Sequence, residues 1–204
     1  MAKKLLSPSN GALLAVALLL ASLFVTAMGT KDYLAEKSAR DSQTLVQTSL
    51  TDADFTFNSM RAVDSGWSAT DGDPQMIYTA DMMFTGVEFY MEYSIYPGEM
   101  LLYYTTAAQP QYNGANMAVI SPVKDRAGWY AVSVPATQVT SVRIDPTVTA
   151  GNHLVFGDIV LNPQKTRADY LAPDGYTVLS LAVYTLVLFA IFSFVKDFFT
   201  KKGK

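Results

Sequence analysis

Two stretches of the chain have no polar rhythm. Residues 5–30 and 175–195 contain no charged side chain, and within them 11–29 and 176–195 are apolar runs of 19 and 20 residues. At roughly 1.5 Å of rise per residue, each run reaches about 30 Å as a helix, the thickness of a bilayer's hydrocarbon core. The pattern predicts transmembrane helices over 11–29 and 176–195. Residues 31–47 are polar and suit a helix that continues the first span, so 30–50 reads as a stalk. From residue 51 the hydrophobic period falls to two. Val87, Phe89, Met91, Tyr93 and Ile95 alternate with Glu88, Tyr90, Glu92, Ser94 and Tyr96, a half-buried antiparallel strand closed by Pro97-Gly98. Residues 100–105 follow as its neighbour, and 76–79, 116–120, 129–134, 139–144 and 153–161 are further short strands. Turn residues separate them: Asp71-Gly72-Asp73-Pro74, Asn113-Gly114, Ser121-Pro122, Pro146 and Gly151-Asn152. Seven or eight short strands predict a mainly β fold, an antiparallel β-sandwich of jelly-roll type over 51–165. A linker over 166–175 returns the chain to the second span.

Charge supplies an orientation. Lys3 and Lys4 precede the first run; Lys196, Lys201, Lys202 and Lys204 follow the second, opposed only by Asp197. Residues 31–174 hold 9 Lys and Arg against 17 Asp and Glu, 9 − 17 = −8. Because cytoplasmic flanks collect Lys and Arg, both tails, 1–10 and 196–204, are expected inside and the acidic β domain outside. A cleavable signal peptide ending near Val25-Thr26-Ala27 is the alternative for the first run, but the run exceeds the about 7–15 residues of a signal core. The chain has no cysteine and no Asn-x-Ser/Thr sequon. An extracytoplasmic eukaryotic domain often shows one or both, so a bacterial cytoplasmic membrane is the expected location. A domain this acidic lacks the basic surface that nucleic-acid binding requires.

The stretch from Trp67 to Asn162 carries a pattern of its own: Gly66-Trp67-Ser68, Asp73-Pro74-Gln75, Leu102-Tyr103-Tyr104, and Val142-Arg143-Ile144-Asp145-Pro146 followed by residues 154–161. It resembles the carbohydrate-binding-module-like β-sandwich that bacterial polysaccharide-assembly and glycosyltransferase membrane proteins present outside the membrane. The resemblance covers about half of the chain. It implies an early strand at Trp67, an inner strand at Tyr103 and a last strand pair beginning at Arg143. Such a domain usually accompanies a large membrane enzyme, which implies an accessory role here and a larger integral membrane partner, a glycosyltransferase or a transporter.

Candidate chemistry is sparse. Arg143 and Asp145 are two apart and share a strand face, which predicts an ion pair leading into the turn at Pro146. Asp71-Gly72-Asp73 has the Asp-x-Asp spacing of some metal-nucleotide sites, but reads more simply as a turn capped by its aspartates. Glu88 and Glu92 share a face at roughly 13 Å, outside the about 5–9.5 Å that glycoside hydrolysis needs. Asp52 and Asp54 read as turn residues. His153 is the only histidine, and there is no Gly-x-Ser-x-Gly elbow and no phosphate-binding glycine loop. No catalytic residue, metal site or cofactor is predicted. Exposed aromatics are the better candidates, because sugar rings stack their apolar faces on Trp and Tyr. Trp67, Tyr104, Tyr112 and Trp129 are the candidate glycan contacts. In the helices, Gly11 and Ala15, Ala17 and Ala21, and the row Thr177, Ser180, Tyr184 have the small-residue and hydroxyl spacing of helix–helix contacts in lipid. The expected function is a non-catalytic two-span accessory subunit of envelope polysaccharide assembly. A small glycan-active enzyme and a self-associating envelope protein are the alternatives.

Overall fold

The computed structural model describes residues 9–172 and 175–202, and of Lys201 and Lys202 only the backbone. The lysines Lys3, Lys4 and Lys204, together with residues 173–174 of the expected linker, lie outside the described residues. The chain divides into two units, Ala39–Gln164 and the pair of ends Met1–Ser38 with Lys165–Lys204.

Ala39–Gln164 is built on nine antiparallel strands: β1 (Thr48–Leu50), β2 (Thr56–Asn58), β3 (Met60–Val63), β4 (Gly66–Ala69), β5 (Gln75–Tyr93), β6 (Met100–Thr105), β7 (Met117–Pro122), β8 (Trp129–Asp145) and β9 (His153–Leu161). They join in one sheet ordered β3-β4-β9-β5-β8-β6-β7, with β1 added on β9 and β2 on β5. Two of the expected short-strand pairs fuse. Residues 76–79 and 87–93 belong to β5, 19 residues long, and 129–134 and 139–144 belong to β8, 17 residues long.

Each long strand changes partners along its length. The first part of β5 pairs with β2 and with Thr137–Ile144 of β8. Its second part, from Gly86, pairs with Trp129–Ser133 and, from Val87, with β9. The register shifts between the parts, at Phe84/Gly86. Gly86 sits there at φ +149° with the Val132 carbonyl oxygen 2.2 Å from where a Cβ would stand, so no other residue fits. Opposite, Pro135 brings no N–H to the break. Asn162 closes the gap. Its side-chain oxygen accepts from the Thr85 N–H and hydroxyl at 2.8 and 3.2 Å, and its amide donates to the Val46 and Met83 carbonyls at 3.0 and 2.8 Å.

The core follows the period of two. Val87, Phe89 and Met91 of β5 are buried with Leu102, Ile120, Val139, Val142, Ile144, Leu154, Ile159 and Leu161. The alternation ends earlier than the pattern predicts. Ile95 is half exposed, because the buried Asn152 side chain takes both its N–H (3.1 Å) and its carbonyl (2.9 Å), leaving its backbone unavailable to a strand.

The other unit holds α1 (Asn10–Asp41) except its last turn from Ala39, together with α2 (Arg167–Leu171) and α3 (Gly175–Lys202). Both α1 and α3 are long and apolar enough to cross a membrane. Leucines, valines and phenylalanines stand exposed along both. The two run antiparallel: Lys196 donates to the Asn10 side chain at 2.8 Å at one end, and the Phe24 and Tyr184 rings meet edge-on at 5.1 Å nearer the other. Ala17 and Ala21 are fully buried, as small residues in a helix seam should be. Gly11 and Ala15 are exposed, and among the described residues beyond its own helix turn the contact of a Cβ built on Gly11 is the Ser9 hydroxyl oxygen at 3.9 Å, so this second pair lies off the seam.

Candidate functional site

The four candidate aromatics fall in four different environments. Trp67 pairs across the sheet with the buried Leu154, so it points inward. It lies flat on Phe57 at 3.6 Å, Phe57 stacks in turn on Phe156, and the indole N–H donates to Asp52. Trp67 therefore plugs one end of the core. Tyr104 pairs with buried Val142 and packs on the core, whereas its neighbour Tyr103 faces outward beside Arg143. Tyr112 is half-buried and shares a 2.5 Å hydrogen bond with the Ser141 hydroxyl.

Arg143 grips Asp145 with two nitrogens, each at 2.6 Å, and reaches Asp73 at 2.8 Å. Its guanidinium lies over the Tyr103 and Tyr112 rings at 5.0 and 5.8 Å. Burial pushes the Asp145 carboxyl above its ordinary value, and the guanidinium opposes that rise. Nε and Nη2 of Arg143 are thus committed within the domain, tying the Asp71–Asp73 turn to β8. Asp71 caps that turn, accepting from the Asp73 N–H at 2.9 Å and the Ser59 hydroxyl at 2.8 Å, which lowers its pKa. The Asp-x-Asp spacing is a turn device. Pro146 follows the ion pair.

Trp129 marks a different face. It opposes Tyr90 across β8 and β5, and Arg126 lies over its ring at 3.9 Å while pairing with Glu88 at 2.7 Å. Tyr90 lies in a slot between two glycines: a Cβ on Gly128 would come within 2.5 Å of its ring, and one on Gly157 within 2.8 Å. Its hydroxyl donates to Glu92 at 2.5 Å, and that hydrogen bond, which only the neutral phenol can make, raises the phenol's pKa, with burial and the neighbouring carboxylate charge adding to it.

Beside Tyr90 the surface opens into a wide depression of about 530 Å³, lined by Tyr90, Glu92, Tyr93, Tyr96, Gly128 and Tyr130, among others. That is within the usual range of ligand sites. Tyr93 and Tyr130 form its floor, edge-to-face at 5.7 Å, and burial raises both phenol pKa values. Tyr96 stands 81% exposed at the rim. Its loop is nevertheless fixed. The Thr147 hydroxyl donates to the Pro97 carbonyl at 2.8 Å, that of Thr149 to the Tyr96 carbonyl at 3.3 Å, and fully buried Asn152 clamps Ile95. An exposed ring on an anchored loop is a stacking surface that loses little entropy when a ligand settles on it. Glu92 is the only acidic side chain among the lining residues.

Sequence reasoning missed Tyr90, Tyr93, Tyr96 and Tyr130. The available signal was the spacing of three among the first, which violates a strand's alternation and gathers the rings only because β5 stops at Tyr93. His153 opens β9, with its ring nitrogen 3.2 Å from the Ser65 hydroxyl.

No protein-family model matches the sequence, and no curated protein matches it. Solved structures overlay in part. A low-affinity xylan-binding module from Roseburia intestinalis is 11% identical, covers 57% of this chain and 94% of its own, and has a TM-score of 0.38. The C-terminal CBM6 of a marine laminarinase from Zobellia galactanivorans is 9% identical over 58% of this chain and 100% of its own, at 0.37. A carbohydrate-binding module of a Cellvibrio mixtus lichenase, seen with cellotriose, is 12% identical over 58% of this chain and 98% of its own, at 0.31. Overlays this loose assign this chain neither a family nor a ligand.

Proposed function

We propose that the chain is a non-catalytic, two-span membrane protein that holds its β domain, a jelly-roll-like sandwich, outside the cytoplasm and contacts glycan through the tyrosine-lined depression. Both termini lie in the cytoplasm, and the location is a bacterial cytoplasmic membrane. There it supports a glycosyltransferase or transporter in envelope polysaccharide assembly. The observation that carries the reading is the depression itself: an exposed Tyr96 on a clamped loop, a tyrosine floor, and the Glu92 carboxylate beside them to accept sugar hydroxyls. Hydrolysis would need a second carboxylate about 5–9.5 Å away; with Glu92 alone on the lining, binding is the better supported activity.

Full-length protein in detergent, titrated against a panel of neutral and acidic polysaccharides, should bind at least one. Tyr96→Ala should weaken that binding about tenfold or more while leaving the fold intact, since the ring contributes stacking and little else. Equal binding by wild type and variant, or no binding across the panel, would sink the reading. Purification in mild detergent should also retain a large multi-span partner, and recovery as a lone chain would count against the accessory role.

A further inference from the structure

At the end of the helical unit where the apolar runs stop, a cavity of about 340 Å³ opens among α1, α2 and α3. Its lining mixes apolar groups with Thr26, Asp32, Tyr170, Tyr176, Ser180 and Tyr184. The wall is built, not incidental. The Tyr170 carbonyl oxygen comes within 2.4 Å of where a Cβ on Gly29 would stand, so α2 rests on bare α1 backbone. The Tyr170 hydroxyl donates to the Glu36 carboxylate, and the Thr166–Asp169 capping box sets where α2 begins. Ser180 and Tyr184, which the sequence offers as helix contacts, together with Thr177 face this space.

The electrostatics of the lining select a sign. Asp32 is exposed, and no basic side chain is among the described residues lining the cavity. A carboxylate with several tyrosine rings is the chemistry that receives an ammonium group, by charge-assisted hydrogen bond and by cation–π attraction. Just outside the lining, the Lys165 ammonium stands 5.9 Å over the Tyr170 ring. If α1 and α3 span a bilayer, this level is that of the lipid headgroups.

We propose that the cavity binds the headgroup of a zwitterionic phospholipid with a primary amine, its ammonium on Asp32 among the tyrosines and its acyl chains along the apolar helix surfaces. The inference rests on the membrane-spanning reading of α1 and α3. The test is full-length protein reconstituted in nanodiscs of equimolar phosphatidylethanolamine and phosphatidylglycerol, followed by native mass spectrometry of the lipid retained. Wild type should retain the ethanolamine lipid in preference. Asp32→Asn, which leaves the shape unchanged, should reduce that preference about tenfold, and Ser180→Leu, which fills the cavity from α3, should abolish retention. Equal retention of the two lipids by wild type, or an unchanged preference in Asp32→Asn, would overturn the lipid site while leaving the two spans standing. Protein that stays soluble without lipid and never enters nanodiscs would overturn both.

Discussion

Asn162 shows how much one buried amide can hold. It is fully buried, sits at φ +52°, and uses both side-chain ends, binding Thr85 through its oxygen and two carbonyls through its nitrogen. Its own carbonyl takes Arg40 at 3.0 Å. Truncation would orphan several partly buried backbone groups, each costing up to about 1–3 kcal/mol, and would leave a left-handed backbone without the residue that favours it. Asn162→Ala should therefore destabilise the β domain by about 3 kcal/mol or more. Tryptophan fluorescence during urea denaturation in detergent is a clean reporter, because both tryptophans lie in this unit; a shift below 1 kcal/mol, roughly the worth of a single hydrogen bond, would contradict the clamp. At this scale the sequence was a poor guide. Trp67 and Trp129 are equally plausible sugar platforms as letters, yet one is stacked into the core and the other carries Arg126 on its ring. Partners from distant segments decide which.

Strands β5 and β8 are the elements that organise the domain, because each serves two sets of neighbours. The change of partner depends on Gly86, where any side chain would strike the Val132 carbonyl. Gly86→Ala should cost several times the about 1 kcal/mol of an ordinary strand glycine replacement. It should also free the amides around Phe84–Val87, which hydrogen exchange would report as faster exchange at the break than in β6. Uniform protection along β5 would count against this account. The alternation from Val87 to Met91 was legible in advance because a half-buried strand has no other way to be patterned. The continuity of β5 through residues 80–86 was not. Residues 80–86 carry no alternation of their own, and the strand runs through them because β8 pairs on either side of the register shifts at Thr79/Met82 and Phe84/Gly86.

For the β domain as a whole, the tyrosine floor predicts a pH dependence. Burial holds the phenols of Tyr93 and Tyr130 above their ordinary value of 10.0. Below pH 10 both states of the chain keep these groups neutral and stability is unaffected. Above it the unfolded chain ionises first, so stability falls as pH rises toward the folded-state values. Absorbance at 295 nm should show these phenolates appearing with unfolding rather than before it, and Tyr93→Phe should make the alkaline loss shallower. Early titration of both rings in folded protein would remove the buried floor.

What the sequence determined by itself was whatever a local run of side chains dictates: two helices apolar enough for a membrane, a β domain between them, strands β6 and β9 near their true limits, and the Arg143–Asp145 pair. Those follow from hydrophobic period and spacing, which neighbouring residues carry alone. The tertiary structure decided the fused strands, the inward turn of Trp67 and Tyr104, the Asn152 and Asn162 clamps, and the gathering of Tyr90, Tyr93, Tyr96 and Tyr130. Each of these arises where segments far apart in the chain compete for the same hydrogen bonds or the same apolar space, and no local pattern records the outcome of that competition.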